Sequence, residues 1–130
     1  MLMAPVPFNR QIRVLAVDRN ALMREGLASL IRLRPDMQLI GAMATAEEAL
    51  QIFLERRPDV TVMDLDAPSA ATHEAIRKIR ARNASARFIG LTTYGPNDAW
   101  AEALAAGASH CLGKDRLRDS LPPTIRKGTP

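Results

Sequence analysis

The feature that most constrains the fold of this chain is a regular alternation of short apolar runs with segments of helical periodicity. The apolar runs have the length of β-strands and occupy residues 12–17, 37–43, 60–63, 88–91 and 110–112. Apolar residues recur every three or four positions, as in amphipathic helices, over residues 21–34, 45–57, 72–82 and 97–106 and from about 116 onward. This alternation predicts a parallel sheet with helices on both faces. Because crossover connections are right-handed, we expect a doubly wound α/β sheet of five strands.

Individual residues predict where several of these helices begin and end. Thr45 and Glu48 have the spacing of a capping box, in which each side chain can accept from a backbone N–H at the helix start. Gly107 follows the alanine-rich fourth helix and is expected to be its left-handed cap. The last helix contains Pro122 and Pro123, and proline removes a donor and clashes with the preceding turn. We therefore expect that helix to be short, kinked or frayed.

Length and composition are those of one ordinary globular domain, with 130 residues of which 47% are hydrophobic and 25% charged. We expect a flexible tail at residues 1–10, the domain at 11–127, and a tail or linker start at 128–130. The single cysteine, Cys111, permits no disulfide within the chain, which favours a reducing cytoplasm. No apolar stretch approaches the length of a membrane span, so a membrane is not an expected partner.

The net charge of +4 and the pI of about 10.0 raise the question of a nucleic-acid partner. The basic residues, however, are scattered over several predicted helices and interleave with acids. Aromatic residues, on which single-stranded bases would stack, make up only 4% of the chain. We interpret the charge as that of solvated helix faces.

Polar side chains follow four of the five predicted strands. Asp18 follows the first strand, Asp64 the third and Thr92 the fourth, and the fifth leads to Lys114. The second strand runs into residues 42–44, which carry no functional group. If the strand order is 2-1-3-4-5, the four strands with polar ends are neighbours. Doubly wound sheets bind ligands at the carboxyl ends of their strands, so one concave site is expected there.

The residue types at these strand ends suit phosphoryl chemistry. A carboxylate can attack phosphorus, and a lysine can pair with a phosphoryl oxygen as a point charge. A threonine hydroxyl can donate a further hydrogen bond. Magnesium takes oxygen ligands, usually one or two carboxylates together with waters. Phosphoryl transfer needs little more than such positioning and charge neutralisation.

The segments IRVLAVD, MREGL, RPDVTVMDL, FIGLTTY and AGASHCLGKD together resemble the receiver domain of bacterial two-component response regulators, most closely the NarL/LuxR-type branch. They extend over about residues 11–118 in the family's order and spacing. The resemblance implies a flavodoxin-like fold with strand order 2-1-3-4-5. It also implies a cytoplasmic signalling domain rather than an enzyme, although such domains can catalyse their own phosphoryl transfer and dephosphorylation.

The resemblance also implies roles for individual residues. Asp64 would accept a phosphoryl group from the phosphohistidine of a histidine kinase. Thr92 would hydrogen-bond that group and move on activation, and Lys114 would contact its oxygens. Asp18, Asp64 and the backbone carbonyl of Asp66 would hold Mg²⁺. The expected output is transcription regulation through a partner or through a C-terminal DNA-binding effector domain outside these residues, and homodimerisation is left open.

Several positions depart from the family pattern. Arg19 stands where the family has a second acid that binds the metal directly, and a guanidinium cannot ligate a cation. Arg19 could be an internal cation that pairs with Asp64 or Asp18, or it could point to solvent. The loop at residues 67–75 lacks the family's usual glycine-containing turn, and Cys111 stands where many members carry an aromatic residue.

Two other interpretations stay in view. The departures at Arg19 and in the loop favour a pseudo-receiver, an interaction module of the same fold that works without phosphorylation at Asp64. An unrelated doubly wound enzyme or nucleotide-binding protein is disfavoured, because no glycine-rich phosphate loop follows the first strand.

Overall fold

The computed structural model describes residues 10–66 and 70–127 of the chain. Almost all of the tail predicted at residues 1–10, the tail predicted at 128–130 and the first part of the departing loop at 67–75 therefore lie outside the described residues.

Five parallel strands form a single sheet, and their order is β2-β1-β3-β4-β5. The strands are β1 (Ile12–Val17), β2 (Met37–Met43), β3 (Val60–Asp64), β4 (Arg87–Thr92) and β5 (His110–Gly113). The predicted fold class and strand order are confirmed. Strand β3 lies at the centre, as its near-continuous apolar sequence requires, because a central parallel strand is covered on both faces.

In the described part of the chain, five α-helices connect or follow these strands: α1 (Ala21–Arg32), α2 (Ala46–Arg56), α3 (Ala70–Arg82), α4 (Asp98–Ala106) and α5 (Leu117–Arg126). A short 3₁₀ turn at Lys114–Arg116 precedes α5. The Thr45 hydroxyl accepts from the N–H of Glu48 at 3.2 Å, as the capping box predicts, but the Glu48 carboxylate instead accepts from that hydroxyl at 3.0 Å. Gly107 ends α4 with a positive φ of 123°, in agreement with its predicted role.

The core consists of two apolar layers, one on each face of the sheet. On one face, α2, α3 and α4 pack on alternate strand residues through the side chains Ala49, Phe53, Ile76, Ile79 and Ala103. On the other face, α1 and α5 cover the remaining strand positions through Leu27, Ile31, Leu117, Leu121 and Ile125. These layers hold the strands rigidly, so the carboxyl ends of β1, β3, β4 and β5 have fixed relative positions.

Helix α5 differs from the expectation of a short or frayed helix, because it continues for ten residues through Pro122 and Pro123. Pro122 is buried with the apolar face of the helix. The hydroxyl of Ser120 donates to the carbonyl of Arg116 at 2.9 Å, and that of Thr124 donates to the carbonyl of Ser120 at 2.8 Å. Packing on the sheet therefore outweighs the cost of about 3 kcal/mol that proline imposes inside a helix. None of the described helices combines the length and apolarity needed to cross a membrane.

Candidate functional site

The predicted site residues Asp18, Asp64 and Lys114 come together at the carboxyl edge of the sheet. The Lys114 ammonium (Nζ) lies 2.7 Å from Oδ1 of Asp64 and 3.2 Å from Oδ2 of Asp18. It also lies 3.0 Å from Oδ2 of Asp66, a contact that was not predicted. One ammonium thus faces three carboxylates, which we call the carboxylate cluster.

Burial strengthens the electrostatics of this cluster. The side chain of Asp18 is 2% exposed, and those of Asp64 and Lys114 are each 14% exposed. Burial alone would lower the pKa of Lys114, but its hydrogen bonds with Asp64 and Asp66 outweigh that effect and raise the pKa well above its usual value. Lys114 therefore remains a full positive charge in the site at any physiological pH.

Asp18 is fixed by its own chain. Its Oδ1 accepts from the N–H of Asn20 at 2.9 Å, and its backbone carbonyl accepts from the guanidinium of Arg24 at 2.9 Å. Its other carboxylate oxygen, Oδ2, is buried and is ion-paired with Lys114 by distance, yet no donor among the described residues has hydrogen-bond geometry to it. A buried oxygen of this kind can accept a cation or a water.

Asp64 presents one bound and one available oxygen. Its Oδ1 accepts from the N–H of Asp66 at 3.0 Å and pairs with Lys114. Within the described ranges, its Oδ2 forms no hydrogen bond or ion pair. The Oδ2 atom is therefore the oxygen that an incoming electrophile could meet.

Arg19 does not serve as an internal cation in this structure. It is exposed, and among residues 10–66 and 70–127 its side chain has no hydrogen-bond or ion-pair partner. Lys114 supplies the positive charge that the hypothesis assigned to Arg19. Because Asp18 directly follows β1 and turns inward, Arg19, the next residue along the chain, lies on the solvent side.

Thr92 occupies the predicted position at the end of β4 and is fully buried. Its hydroxyl donates to the backbone carbonyl of Tyr94 at 2.5 Å, rather than to a carboxylate of the site. The neighbouring Thr93, which the sequence analysis did not single out, binds Asp66 instead. Its N–H donates to Oδ1 at 2.7 Å and its hydroxyl donates to Oδ2 at 2.5 Å.

The sequence contains weak signals for the two side-chain contacts that were not predicted, those of Asp66 and Thr93. Asp66 stands two positions after Asp64, a spacing that brings side chains to the same side of an extended chain. Thr93 is the second threonine of the FIGLTT segment.

Burial alone would raise the pKa of the Asp66 carboxyl, but the hydrogen bonds from Thr93 outweigh that effect and lower the pKa below its usual value. Lys114 adds to this lowering.

Two cavities border the carboxylate cluster. A small one of about 70 Å³ lies toward α2 and is lined in part by Asp18, Asp64 and Glu47. A wide, open one of about 750 Å³ lies toward α1, and its lining includes Leu22, Met23, Gly26, Asp64 and Lys114. The larger cavity leaves this side of the cluster open to solvent.

The donor set fits magnesium. Magnesium usually binds one or two protein carboxylates and completes its octahedron with waters and phosphate oxygens. Asp18 and Asp64 supply two carboxylates, including the buried Oδ2 of Asp18 that lacks a hydrogen-bond donor. Among the described residues, no group of three Asp, Glu, His or Cys side chains is arranged as a complete metal site, so the remaining ligands would be water and backbone oxygen.

Comparison with known proteins identifies the family. Residues 14–126 match the family described as "Response regulator receiver domain". The transcriptional regulatory protein LnrK of Bacillus subtilis is 34% identical over 110 residues, which are 85% of this chain and 50% of that protein. The chain also spans 36% and 58% of two further curated relatives.

Solved structures agree with the sequence match. A LuxR-family response regulator from Aurantimonas sp. SI85-9A1 is 32% identical with a TM-score of 0.78, and the match covers 89% of this chain and 83% of that one. The response regulator domain of Thermotoga maritima CheB is 31% identical with a TM-score of 0.77, over 90% of this chain and 95% of that one. The chain therefore belongs to the response regulator receiver domains, the signalling modules of two-component systems, with NarL/LuxR-type regulators among its relatives.

Proposed function

We propose that this receiver domain accepts a phosphoryl group on Asp64 from the phosphohistidine of a histidine kinase. The observation that carries the proposal is the state of the Asp64 carboxylate. Its Oδ1 lies 2.7 Å from the Lys114 ammonium, its Oδ2 has no partner among the described residues, and the residue lines an open cavity. This arrangement combines an available nucleophile with a charge that can neutralise an incoming phosphoryl group.

The proposed reaction is a direct transfer. An oxygen of Asp64 attacks phosphorus, the phosphorus–nitrogen bond of the phosphohistidine breaks, and the imidazole leaves with the bonding electrons. Lys114 pairs with the phosphoryl oxygens. The Thr92 hydroxyl, which donates to the carbonyl of Tyr94 in this structure, turns to the phosphoryl group and carries the end of β4 with it.

Magnesium is part of the proposal. Asp18, Asp64 and the backbone carbonyl of Asp66 would hold it, and it would neutralise charge on the phosphoryl oxygens. The buried Oδ2 of Asp18, which lacks a hydrogen-bond donor, supports this assignment. Arg19 replaces the family's second acid here, so affinity for magnesium should be lower than with three carboxylates.

Phosphorylation of Asp64 would change the interaction of this domain with a partner or with an effector domain. This chain spans half the length of LnrK, a protein named as a transcriptional regulator, so the proposed output is transcription regulation in the cytoplasm through a DNA-binding domain. Both the histidine kinase and that effector domain are proposed partners.

The test is intact-mass spectrometry after incubation with acetyl phosphate, with and without magnesium. We expect a single phosphoryl adduct in the native protein, which needs magnesium and is lost in Asp64→Asn. Asp98→Asn, an exposed acid in the first turn of α4, is the matched control and should keep the adduct. An adduct that persists in Asp64→Asn would refute the assignment of the acceptor.

A pseudo-receiver is the second candidate, and one observation favours it. Lys114 already pairs with the carboxylates, so the site holds one positive charge without magnesium. In addition, Arg19 stands where the family has a metal-binding acid. This candidate predicts no adduct from acetyl phosphate or from a panel of phosphorylated histidine kinases, together with unchanged partner binding in Asp64→Asn.

A further inference from the structure

The proposed function uses the backbone carbonyl of Asp66, whereas its side chain joins three parts of the site. Its Oδ1 accepts from the N–H of Thr93 at 2.7 Å, and its Oδ2 accepts from the Thr93 hydroxyl at 2.5 Å. The same Oδ2 lies 3.0 Å from Nζ of Lys114. One carboxylate thus connects the segment after β3 with the end of β4 and the end of β5.

The donors that bind Asp66 are those that an anion on Asp64 would need. Lys114 Nζ also lies 2.7 Å from Oδ1 of Asp64, so oxygens attached to Asp64 would come within its reach. Thr93 follows β4, the strand that pairs with β3 beside Asp64. An ammonium and a backbone N–H pointing to one place form an anion-binding set, and a carboxylate of the chain itself fills it.

We propose that the Asp66 carboxylate is an internal anion that occupies the phosphoryl-binding donors of the unphosphorylated protein, and that a phosphoryl group on Asp64 displaces it. The proposal rests on the proposed function. The single ammonium of Lys114 cannot neutralise both the Asp66 carboxylate and a phosphoryl group on Asp64. The phosphoryl group carries more charge and therefore binds Lys114 in place of Asp66. Displacement of Asp66 then releases Thr93, and with it the segment at residues 93–97 that leads into α4.

The competition between the Asp66 carboxylate and the phosphoryl group for Lys114 has a measurable consequence for the rate of phosphorylation. The carboxylate cluster holds three acids against one ammonium, and a phosphoryl donor adds further negative charge. Removal of the Asp66 charge lowers that repulsion and frees Lys114. A unit charge at about 5–6 Å in a partly exposed site changes a rate by about tenfold.

The experiment compares Asp66→Asn and Asp66→Ala with Asp119→Asn, which removes an exposed charge from the first turn of α5. The first measurement is the rate of adduct formation from acetyl phosphate. Both Asp66 variants should react about tenfold faster than the native protein, and Asp119→Asn within about twofold of it. Native rates in both Asp66 variants would overturn the proposal, as would acceleration in Asp66→Ala alone, since that would point to loop mobility instead of charge.

The second measurement is hydrogen exchange of the Thr93 N–H by NMR in the unphosphorylated protein. Exchange should accelerate at least tenfold in Asp66→Ala and stay slow in Asp66→Asn, whose amide oxygen can still accept. Unchanged exchange in Asp66→Ala would overturn the proposal. Because this measurement needs no phosphorylation, it separates failure of the Asp66 contact from failure of the proposed function, in which no variant would form an adduct.

Discussion

The two edges of the sheet use charge in opposite ways. At the carboxyl edge, Lys114 faces three carboxylates beside an open cavity, and Oδ2 of Asp18 lacks a hydrogen-bond donor among residues 10–66 and 70–127. At the amino edge, five arginine side chains donate hydrogen bonds to backbone carbonyls. The five arginines are Arg13, Arg34, Arg56, Arg80 and Arg87. Helix carboxyl termini lie at this edge, and cations stabilise their partial negative charge. The amino edge thus pairs its cations with backbone carbonyls, whereas the carboxyl edge keeps three carboxylates against the one ammonium of Lys114.

The largest effect should come from removing Lys114, the cation that faces the carboxylate cluster. Lys114→Met leaves the carboxylate cluster without its positive charge, and breaking a buried ion pair in this way is costly. We expect a loss of about 3 kcal/mol in the free energy of unfolding at pH 7, measured by urea denaturation. Lys78→Met, at an exposed helical pair with Glu74, should change stability by less than about 0.5 kcal/mol. Equal losses in the two variants would contradict this account of the cluster.

At the amino edge, Arg80 tests how much the contacts between arginine side chains and backbone carbonyls stabilise the fold. Its guanidinium donates to the carbonyls of Ala84, Ala86 and Gly107 at 2.8, 3.0 and 2.6 Å and so ties the end of α3 to the segment before β5. Arg80→Met should lower the free energy of unfolding by about 2 kcal/mol, because the carbonyls lose a charged donor.

Arg82 provides the matched control for Arg80 in the same helical turn. It is exposed and has no side-chain partner among the described residues. Arg82→Met should change stability by less than about 0.5 kcal/mol in the same urea experiment. If both variants were equally destabilised, general charge near the helix end would matter, and the carbonyl contacts of Arg80 would not.

The smallest expected effect concerns His110 at the start of β5. Burial lowers the pKa of His110 below its usual 6.5, and the positive charges of Arg87 and Lys127 lower it further. The folded state thus binds its proton less readily than the unfolded state, so this stabilising contribution is complete above pH 6.5 and is lost as pH falls through the folded pKa. Urea midpoints at pH 7.5 and 5.5 should differ less in His110→Gln than in the native protein. The other histidine, His73, is present in both proteins and cancels in the comparison.

Much of the site was predictable because strand ends are local features of a sequence. Four of the five apolar runs lead into a polar residue, and the strand order that the family resemblance implies brings Asp18, Asp64, Thr92 and Lys114 to one edge. The role of Arg19 was not predictable in the same way. Its identity departs from the acid that the family resemblance implies at this position, whereas its side-chain direction depends on how the chain turns after β1.

The amino-acid sequence by itself determined the strands and helices and the polar residues that follow four of the strands, because hydrophobic periodicity and strand-end residues are local features. The strand order was predicted from the resemblance to receiver domains. Tertiary structure alone decided which groups touch. Lys114 and Asp66 are 48 residues apart, and Thr93 and Asp66 are 27 apart. Whether such side chains meet depends on their rotamers and on the register of the strands that carry them. The continuation of α5 through its two prolines was likewise decided by packing on the sheet, which local propensity does not contain.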